Sequence, residues 1–465
     1  MSPQLLSNRP FDQLQVGDSA SLTRVASEQD IALFAAVSGD INPAHMDPAF
    51  AAQDRFGHVI VHGLWTAALI SAVLGTELPG PGTLYLGQQL RFSRPVAPGD
   101  TITATVTVLS KEEDRGRVLL DTRCTNQRGE EVLSGQATVL APREPIAWPR
   151  RPLPAVAVQR HDRFAQLLQQ ARGLGALATA VVHPCSADAL RAALEAREQG
   201  LLQPLLVGPM AKIRTTAEAA GLSLAGLDIE DAPHSHAAAA RAVQLAAQGR
   251  VAALMKGSLH TDELLAAVVA PDSGLHTGRR ISHAYLMDVP SYPKPLLVTD
   301  AAINIAPTLA HKRDICQNAI DLLQLMGVAQ PRVAVLAAVE TVNPAMPATL
   351  DAAALTVMAA RGQISGALVD GPLAFDSAIS GASAQTKEIA SPVAGSADIL
   401  LVPDLEAGNM LAKQLIYLAG ADAAGLALGA RVPIMLTSRA DSVNVRLASA
   451  ALARLVASRR QRSDA

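Results

Sequence analysis

Ala141-Pro-Arg-Glu-Pro-Ile-Ala-Trp-Pro-Arg-Arg-Pro-Leu-Pro154 divides this chain. Its five prolines and missing apolar period give the composition of a linker, the alternative being a long ordered arm that crosses the surface. The two sides of it read differently. Before it, residues 101–109, 117–125 and 131–140 alternate apolar and polar, as strands with one buried face do. Gly99-Asp100 and Gln127-Arg128-Gly129 supply the turns between them. Residues 64–74 are apolar on nearly all sides, which predicts a buried helix. An antiparallel sheet packed on one helix follows, an α+β domain over residues 1–142.

Beyond the linker, taken as 143–165, short apolar runs alternate with alanine-rich stretches. The runs lie at 178–182, 251–255, 295–299, 333–337, 366–369, 399–402 and 433–436. Strands buried on both faces and separated by helices predict an α/β domain with parallel pairing over 166–465. Its length exceeds one core, so the reading is two α/β/α lobes with a break near 315–330.

Bulk composition narrows the function classes. Of 465 residues 49% are hydrophobic and 17% charged, with a formal net charge of −3. No basic tract occurs, so no nucleic-acid partner is expected. Cys124, Cys185 and Cys316 are far apart and form no CxxC pair. That argues against a disulfide framework or zinc site and fits a cytoplasmic, reducing compartment. Residues 1–10 lack the pattern of a signal peptide. The most apolar stretches, 64–74 and 418–436, are short or interrupted by Asp422 and Arg431, so no membrane span is expected.

The first candidate site follows a helix start. Ser27-Glu-Gln-Asp30 has capping-box spacing, and Gly39 is placed to end the helix. Next comes Gly39-Asp40-Ile-Asn42-Pro43-Ala-His45. Pro43 forces Asn42 out of the helical region, so Asp40 and His45 sit on a constrained turn. A carboxylate and an imidazole sharing one water make an acid–base pair. Gly63, after Val61-His62, opens the apolar helix, where free N–H groups favour a developing negative charge.

Ser38-Gly-Asp40-Ile-Asn-Pro-Ala-His45-Met-Asp-Pro, Val59-Ile-Val-His62-Gly63 and Tyr85-Leu-Gly-Gln-Gln-Leu-Arg-Phe92 closely resemble the MaoC-like (R)-specific enoyl-CoA hydratases. The resemblance implies a hot-dog fold, an antiparallel sheet wrapped around a central helix, and a homo-oligomer. It implies that Asp40 and His45 hold the catalytic water and that Gly63 donates to the thioester oxygen. Asn42 and Ser71 fall at substrate-binding positions. The implied reaction is reversible hydration of a trans-2-enoyl-CoA. Trp65 either shortens the acyl pocket or is core.

The second candidate site gathers polar residues after the apolar runs. Lys256-Gly257, Asp300-Ala-Ala-Ile-Asn304, Asp370-Gly371, Pro403-Asp404-Leu-Glu-Ala-Gly-Asn409 and Thr437-Ser438-Arg439 each follow one. Ligands in open α/β sheets bind beyond strand C-termini. Two chemistries stay open from the residues: Ser438-Arg439 could hold an oxyanion, or Asp300, Asp370 and Asp404 could gather a metal. No Walker loop and no dinucleotide fingerprint occurs.

These runs, with Met255-Lys-Gly, Arg280-Ile-Ser-His283 and Gly371-Pro-Leu-Ala-Phe-Asp376, strongly resemble the phosphate acetyl/butyryltransferases over about 170–460. The resemblance implies a two-lobed enzyme that moves an acyl group between CoA and inorganic phosphate. Arg439 would hold phosphate or the tetrahedral oxyanion, and Ser438 would attend the leaving sulfur. Lys256, His283, Asp300, Asn304, Asp370 and Asn409 are the expected substrate-binding residues. Leu264-Leu265 and Val445 stand where acetyl-specific members carry an arginine and an aspartate, which speaks against acetyl specificity, and the Met255-Lys-Gly and Arg280-Ile-Ser-His283 pattern resembles the butyryl type. No cofactor and no metal is expected, only CoA thioesters and phosphate as substrates. Rival readings are a hot-dog thioesterase, a metal-dependent dehydrogenase, and a C-terminal domain serving only to bind CoA or assemble.

Overall fold

The computed structural model describes residues 5–153, 156, 162–436 and 443–463. It divides into two compact units, Met1–Val158 and Gln159–Ala465.

The first unit runs β1 (Leu5–Ser7), β2 (Ser19–Val25), α1 (Glu28–Ser38), α2 (Pro43–Met46), α3 (Pro48–Ala51), α4 (Gly63–Thr76), β3 (Leu84–Phe92), β4 (Thr101–Glu112), β5 (Arg117–Thr125), β6 (Glu131–Leu140) and β7 (Ala147–Pro149). Five strands form an antiparallel sheet in the order β2-β4-β5-β6-β3. Along β4, Ile102, Ala104, Val106 and Val108 are buried while the intervening threonines are half-buried. The sheet thus has one inner face, and α4 packs on it through Trp65, Leu69, Ile70, Val73 and Leu74. This is the expected hot-dog arrangement. Ile70 is fully buried, so Ile70→Ala should cost about 2–5 kcal/mol.

The expectation that α4 is buried all round needs correction. Leu64, Ala68, Ser71 and Gly75 form an exposed stripe down one side, because the single sheet covers only the opposite face. Part of the proline-rich segment forms a strand. β7 pairs with β1, and Asn8 exchanges hydrogen bonds with Glu144 O and Ile146 N. Its prolines prevent helix but leave a two-stranded edge pairing possible.

The second unit begins with α5 (Asp162–Arg172), β8 (Leu177–Val182), α6 (Ala187–Glu198), β9 (Leu202–Gly208), α7 (Met210–Ala219), β10 (Asp228–Asp231), α8 (Ser235–Ala247), β11 (Ala253–Lys256) and α9 (Thr261–Val269). It continues with β12 (Ser282–Asp288), β13 (Leu296–Thr299), α10 (Leu309–Leu325), β14 (Arg332–Leu336), α11 (Pro347–Ala360), β15 (Leu368–Leu373), α12 (Phe375–Ile379), α13 (Gly381–Thr386) and β16 (Ile399–Leu401). It closes with α14 (Leu405–Tyr417), β17 (Asp422–Leu428), β18 (Ile434–Met435) and α15 (Val443–Ser463). One 11-stranded sheet runs β10-β9-β8-β11-β18-β17-β12-β13-β16-β14-β15, with cores on both faces.

The break expected at 315–330 falls on α10, one unbroken helix from a Thr308 capping box to Met326. The chain instead passes between the halves of the sheet after α9 and again from β17 to β18. Pairing is also not parallel throughout. β17 is antiparallel to both β18 and β12, and β12 is antiparallel to β13. β13, β14, β15 and β16 therefore run opposite to β8, β9, β11 and β18.

Candidate active sites

In the first unit, local chemistry builds the Asp40–His45 turn. Ser27 and Asp30 cap α1 reciprocally, and Gly39 ends it in the left-handed region at φ 77°, a conformation open to glycine. The Asp40 N–H then donates to Ser38 Oγ at 3.2 Å, and the Asn42 N–H to Asp40 Oδ1 at 3.2 Å. Asn42 caps α2, its Oδ1 accepting from Ala44 N at 3.1 Å with Pro43 at the first helical position. Asn42 thus shapes the turn, and its amide oxygen is already engaged.

His45 is carried on α2 with Nδ1 2.7 Å from Ile60 O. A carbonyl only accepts, so Nδ1 bears a proton, and the lone pair of the neutral ring is at Nε2. His62, buried beside it, stacks at 4.0 Å between ring centroids and places Nε2 3.0 Å from Asp40 O. Asp40, His45 and His62 each offer one ligand atom within 4.8 Å of the others, the one such cluster among the described residues. The Asp40 carboxylate and the His45 imidazole therefore converge on a space that fits a small polar molecule. Burial lowers the His62 pKa, His45 lowers it further, and the Asp40 carbonyl and carboxylate oppose this. His62 was absent from the sequence-derived candidates.

Gly63 opens α4 next to this cluster. A β-carbon there would lie 2.9 Å from Cε1 of Phe92, so glycine lets the Phe92 ring pack against the helix start. His45 and Gly63 line one cavity of about 370 Å³ with Arg55, Phe56, Thr66, Phe92 and Arg94 among its walls. Ser71 is not brought to it. It lies two helical turns from Gly63 on the exposed stripe, roughly 12 Å along the axis. Trp65 belongs to the core.

In the second unit, Ser438 and Arg439 lie outside the described residues. Lys256 ends β11, its Nζ donating to the carbonyls of Gly257 and Leu259. Gly257 is required there, since a β-carbon would sit 2.3 Å from Val182 O.

Asp300 is buried. Oδ1 accepts from the N–H groups of Ala302 and Ile303, and Oδ2 from the N–H and Nδ2 of Asn304. Asn304 Oδ1 in turn accepts from Arg280 Nε at 2.7 Å. Asn409 Nδ2 donates to Ala301 O at 3.2 Å, and α14 can approach because residue 408 is glycine. Asp300, Asn304 and Asn409 are thus assembled together. Their exposed product is Arg280, a guanidinium held in place.

Asp370 accepts from Gly371 N, and Asp404 caps α14. Both carboxylates, like that of Asp300, serve their own turn, and the three form no metal-holding cluster among the described residues. His283 is fully buried, with neither ring nitrogen hydrogen-bonded to a described residue. Full burial keeps it from direct contact with a substrate at the surface.

The strand ends do not share one edge. β11 and β18, which lead into Lys256 and residues 437–442, end at the sheet edge opposite to β13 and β16, which lead into Asp300 and Asp404. The turn of direction at β17 and β12 separates them.

Comparison with known proteins gives these two units names. Residues 235–454 match the family model "Phosphate acetyl/butaryl transferase", and residues 13–127 match "MaoC like domain". A phosphate acetyltransferase of Rhizobium meliloti is 57% identical over 314 residues, 68% of this chain and 96% of the relative. A probable phosphate butyryltransferase of Bacillus subtilis is 44% identical over 276 residues, 59% of this chain and 91% of the relative. Of these two relatives the acetyltransferase is the more identical. The crystal structure of a branched-chain phosphotransacylase from Enterococcus faecalis aligns over 60% of this chain and 99% of its own, with 29% identity and a TM-score of 0.54. The chain belongs to the phosphate acetyl/butyryltransferase family, and it carries a MaoC-like hot-dog domain ahead of that transferase.

Proposed function

We propose that the first unit hydrates a trans-2-enoyl-CoA to the (R)-3-hydroxyacyl-CoA. The observation that carries this reading is the convergence of the Asp40 carboxylate and the His45 imidazole beside the Gly63 helix start. His45 Nε2 takes a proton from a water held between the two side chains, and the hydroxide adds to C3. His45 passes that proton to Asp40, and Asp40 delivers it to C2, so both groups end as they began. The Gly63 N–H stabilises the enolate-like thioester oxygen. Crotonyl-CoA should lose its enone absorbance without releasing free thiol. Thiol release instead would support a hot-dog thioesterase.

The second unit is a phosphate acyltransferase, and we propose the acetyl group as its cargo, on the 57% identity to a phosphate acetyltransferase. A phosphate oxygen attacks the thioester carbonyl, the tetrahedral intermediate collapses, and the thiolate leaves to be protonated as CoA. We propose Arg439 for the phosphate or oxyanion and Ser438 for the departing sulfur. Neither reaction needs a cofactor. Arg439→Ala should abolish phosphate-dependent thiol release and spare hydration, while Asp40→Ala should do the reverse. Loss of both activities from one change would refute independent sites.

We also propose a homo-oligomer built through β3. It is an edge strand exposing Leu84, Tyr85, Leu86 and Phe92, a surface that invites pairing. Leu86→Lys should reduce the solution mass.

A further inference from the structure

The cavity beside His45 and Gly63 has an asymmetric wall. Ile60, Val61, Phe92, Pro95, Val96 and Val132 make it apolar. Among the described residues its charged lining is Arg55 and Arg94, beside His45, and Asp40 stands near His45 outside that lining. Both arginines are exposed. Arg55 lies over the Phe56 ring at 4.5 Å and forms no ion pair with a described residue. Arg94 donates one Nη1 bond to Glu131 O at 2.8 Å. The acidic group that feels its charge, Glu130, is itself taken up by Asn126 and Arg128. Two guanidinium groups are thus displayed at the mouth of an apolar cavity without a paired carboxylate.

A volume of about 370 Å³ suits the acyl group and the near end of its carrier arm, not a whole CoA. The nucleotide end must remain outside, where the two arginines stand. We propose that Arg55 and Arg94 recognise the phosphates of the CoA nucleotide, and that they set the preference of this unit for CoA thioesters over thioesters lacking that nucleotide. This rests on the hydratase reading above. Guanidinium matches phosphate in planar, bidentate geometry, and the work of these groups is uniform binding, expressed in KM and not in kcat.

The test uses the full chain with three crotonyl thioesters: of CoA, of pantetheine, and of a carrier protein bearing phosphopantetheine. Arg55→Gln, Arg94→Gln and the double variant should each raise KM for crotonyl-CoA, by roughly tenfold per arginine at the strength of a charge-assisted hydrogen bond. kcat for crotonyl-CoA and all constants for crotonyl-pantetheine should stay unchanged. Arg55→Lys should fall between wild type and Arg55→Gln. Equal losses with CoA and pantetheine, or no loss with either, would overturn the assignment. Equal losses with CoA and with the carrier protein, but not with pantetheine, would also overturn it, by moving the recognised phosphate to the one that both carriers share on the pantetheine arm. A wild-type chain that hydrates none of the three would instead remove the hydratase reading, and this site with it.

Discussion

Nε2 of His62 lies 3.0 Å from the carbonyl oxygen of Asp40, and the same ring stacks on His45. One buried side chain thereby fixes both members of the proposed acid–base pair. Since Asp40 O only accepts, His62 bears a proton on Nε2, and burial lowers its pKa, which favours the neutral ring. His62→Leu should lower kcat for hydration by about 10–100-fold, the size of effect expected when reacting groups lose orientation. KM should change little. His62→Gln, which returns an N–H near the Nε2 position, should recover most of the rate. Equal losses in both variants would show that bulk packing, and not the tether, is what His62 provides.

The same three residues bear on metals. Asp40, His45 and His62 offer ligand atoms within 4.8 Å, and the Nδ1 bond of His45 to a carbonyl is the orientation that metal-binding histidines adopt. A zinc ion there would occupy the place of the catalytic water. Hydration should therefore persist in chelator and be inhibited by added zinc, with Asp40→Asn weakening the inhibition. Activity lost on chelation and restored by a metal would reverse the roles and make the cluster a catalytic metal centre.

What the sequence could disclose follows the range of the interactions. The Asp40–His45 turn was legible because it is local: Gly39, Pro43 and the Asn42 cap act within a few residues. Gly63 was legible from its place before an apolar helix. His62 was missed because its partners, Asp40 and His45, are 22 and 17 residues away and no spacing rule joins them. The two-domain reading was visible in the proline run. The direction of β17 and β12 was not, since a run buried on both faces looks alike in either orientation. For that reason Asp300 and Lys256 were expected at one edge. The exposed stripe of α4 had a similar cause: Leu64 and Ala68 are apolar, and composition cannot say which apolar residues a single chain leaves uncovered.

Asp300 was expected to contact substrate, but its carboxylate is already engaged by four donors. Asp300→Ala would leave the part-buried N–H groups of Ala302 and Ile303 and the buried N–H of Asn304 unpaired, and a buried group left so costs about 1–3 kcal/mol. The variant should lower the urea midpoint of the second unit's transition by a matching amount. Any loss of transferase activity should track this destabilisation. A fully stable Asp300→Ala protein with a raised KM for phosphate or CoA thioester would restore the substrate-binding assignment.

His283 makes stability depend on pH. Full burial pushes its pKa down to about 4, against an opposing pull from Asp300. In the unfolded chain the ring titrates near 6.5. Between those values the unfolded state binds the extra proton and the folded state does not. Stability is therefore fully present above pH 6.5 and is lost as the pH falls toward about 4, at a slope of up to about 1.4 kcal/mol per pH unit. Carboxylates add their own dependence at the acidic end, so the informative quantity is a difference in slope. The urea midpoint of the wild type should fall more steeply between pH 7 and 5 than that of His283→Gln, whose amide does not titrate. The comparison does not depend on how much the substitution itself costs, because that cost is common to every pH. Parallel slopes would mean that His283 takes up its proton in the folded protein, and that the buried ring has a partner able to hold the charge.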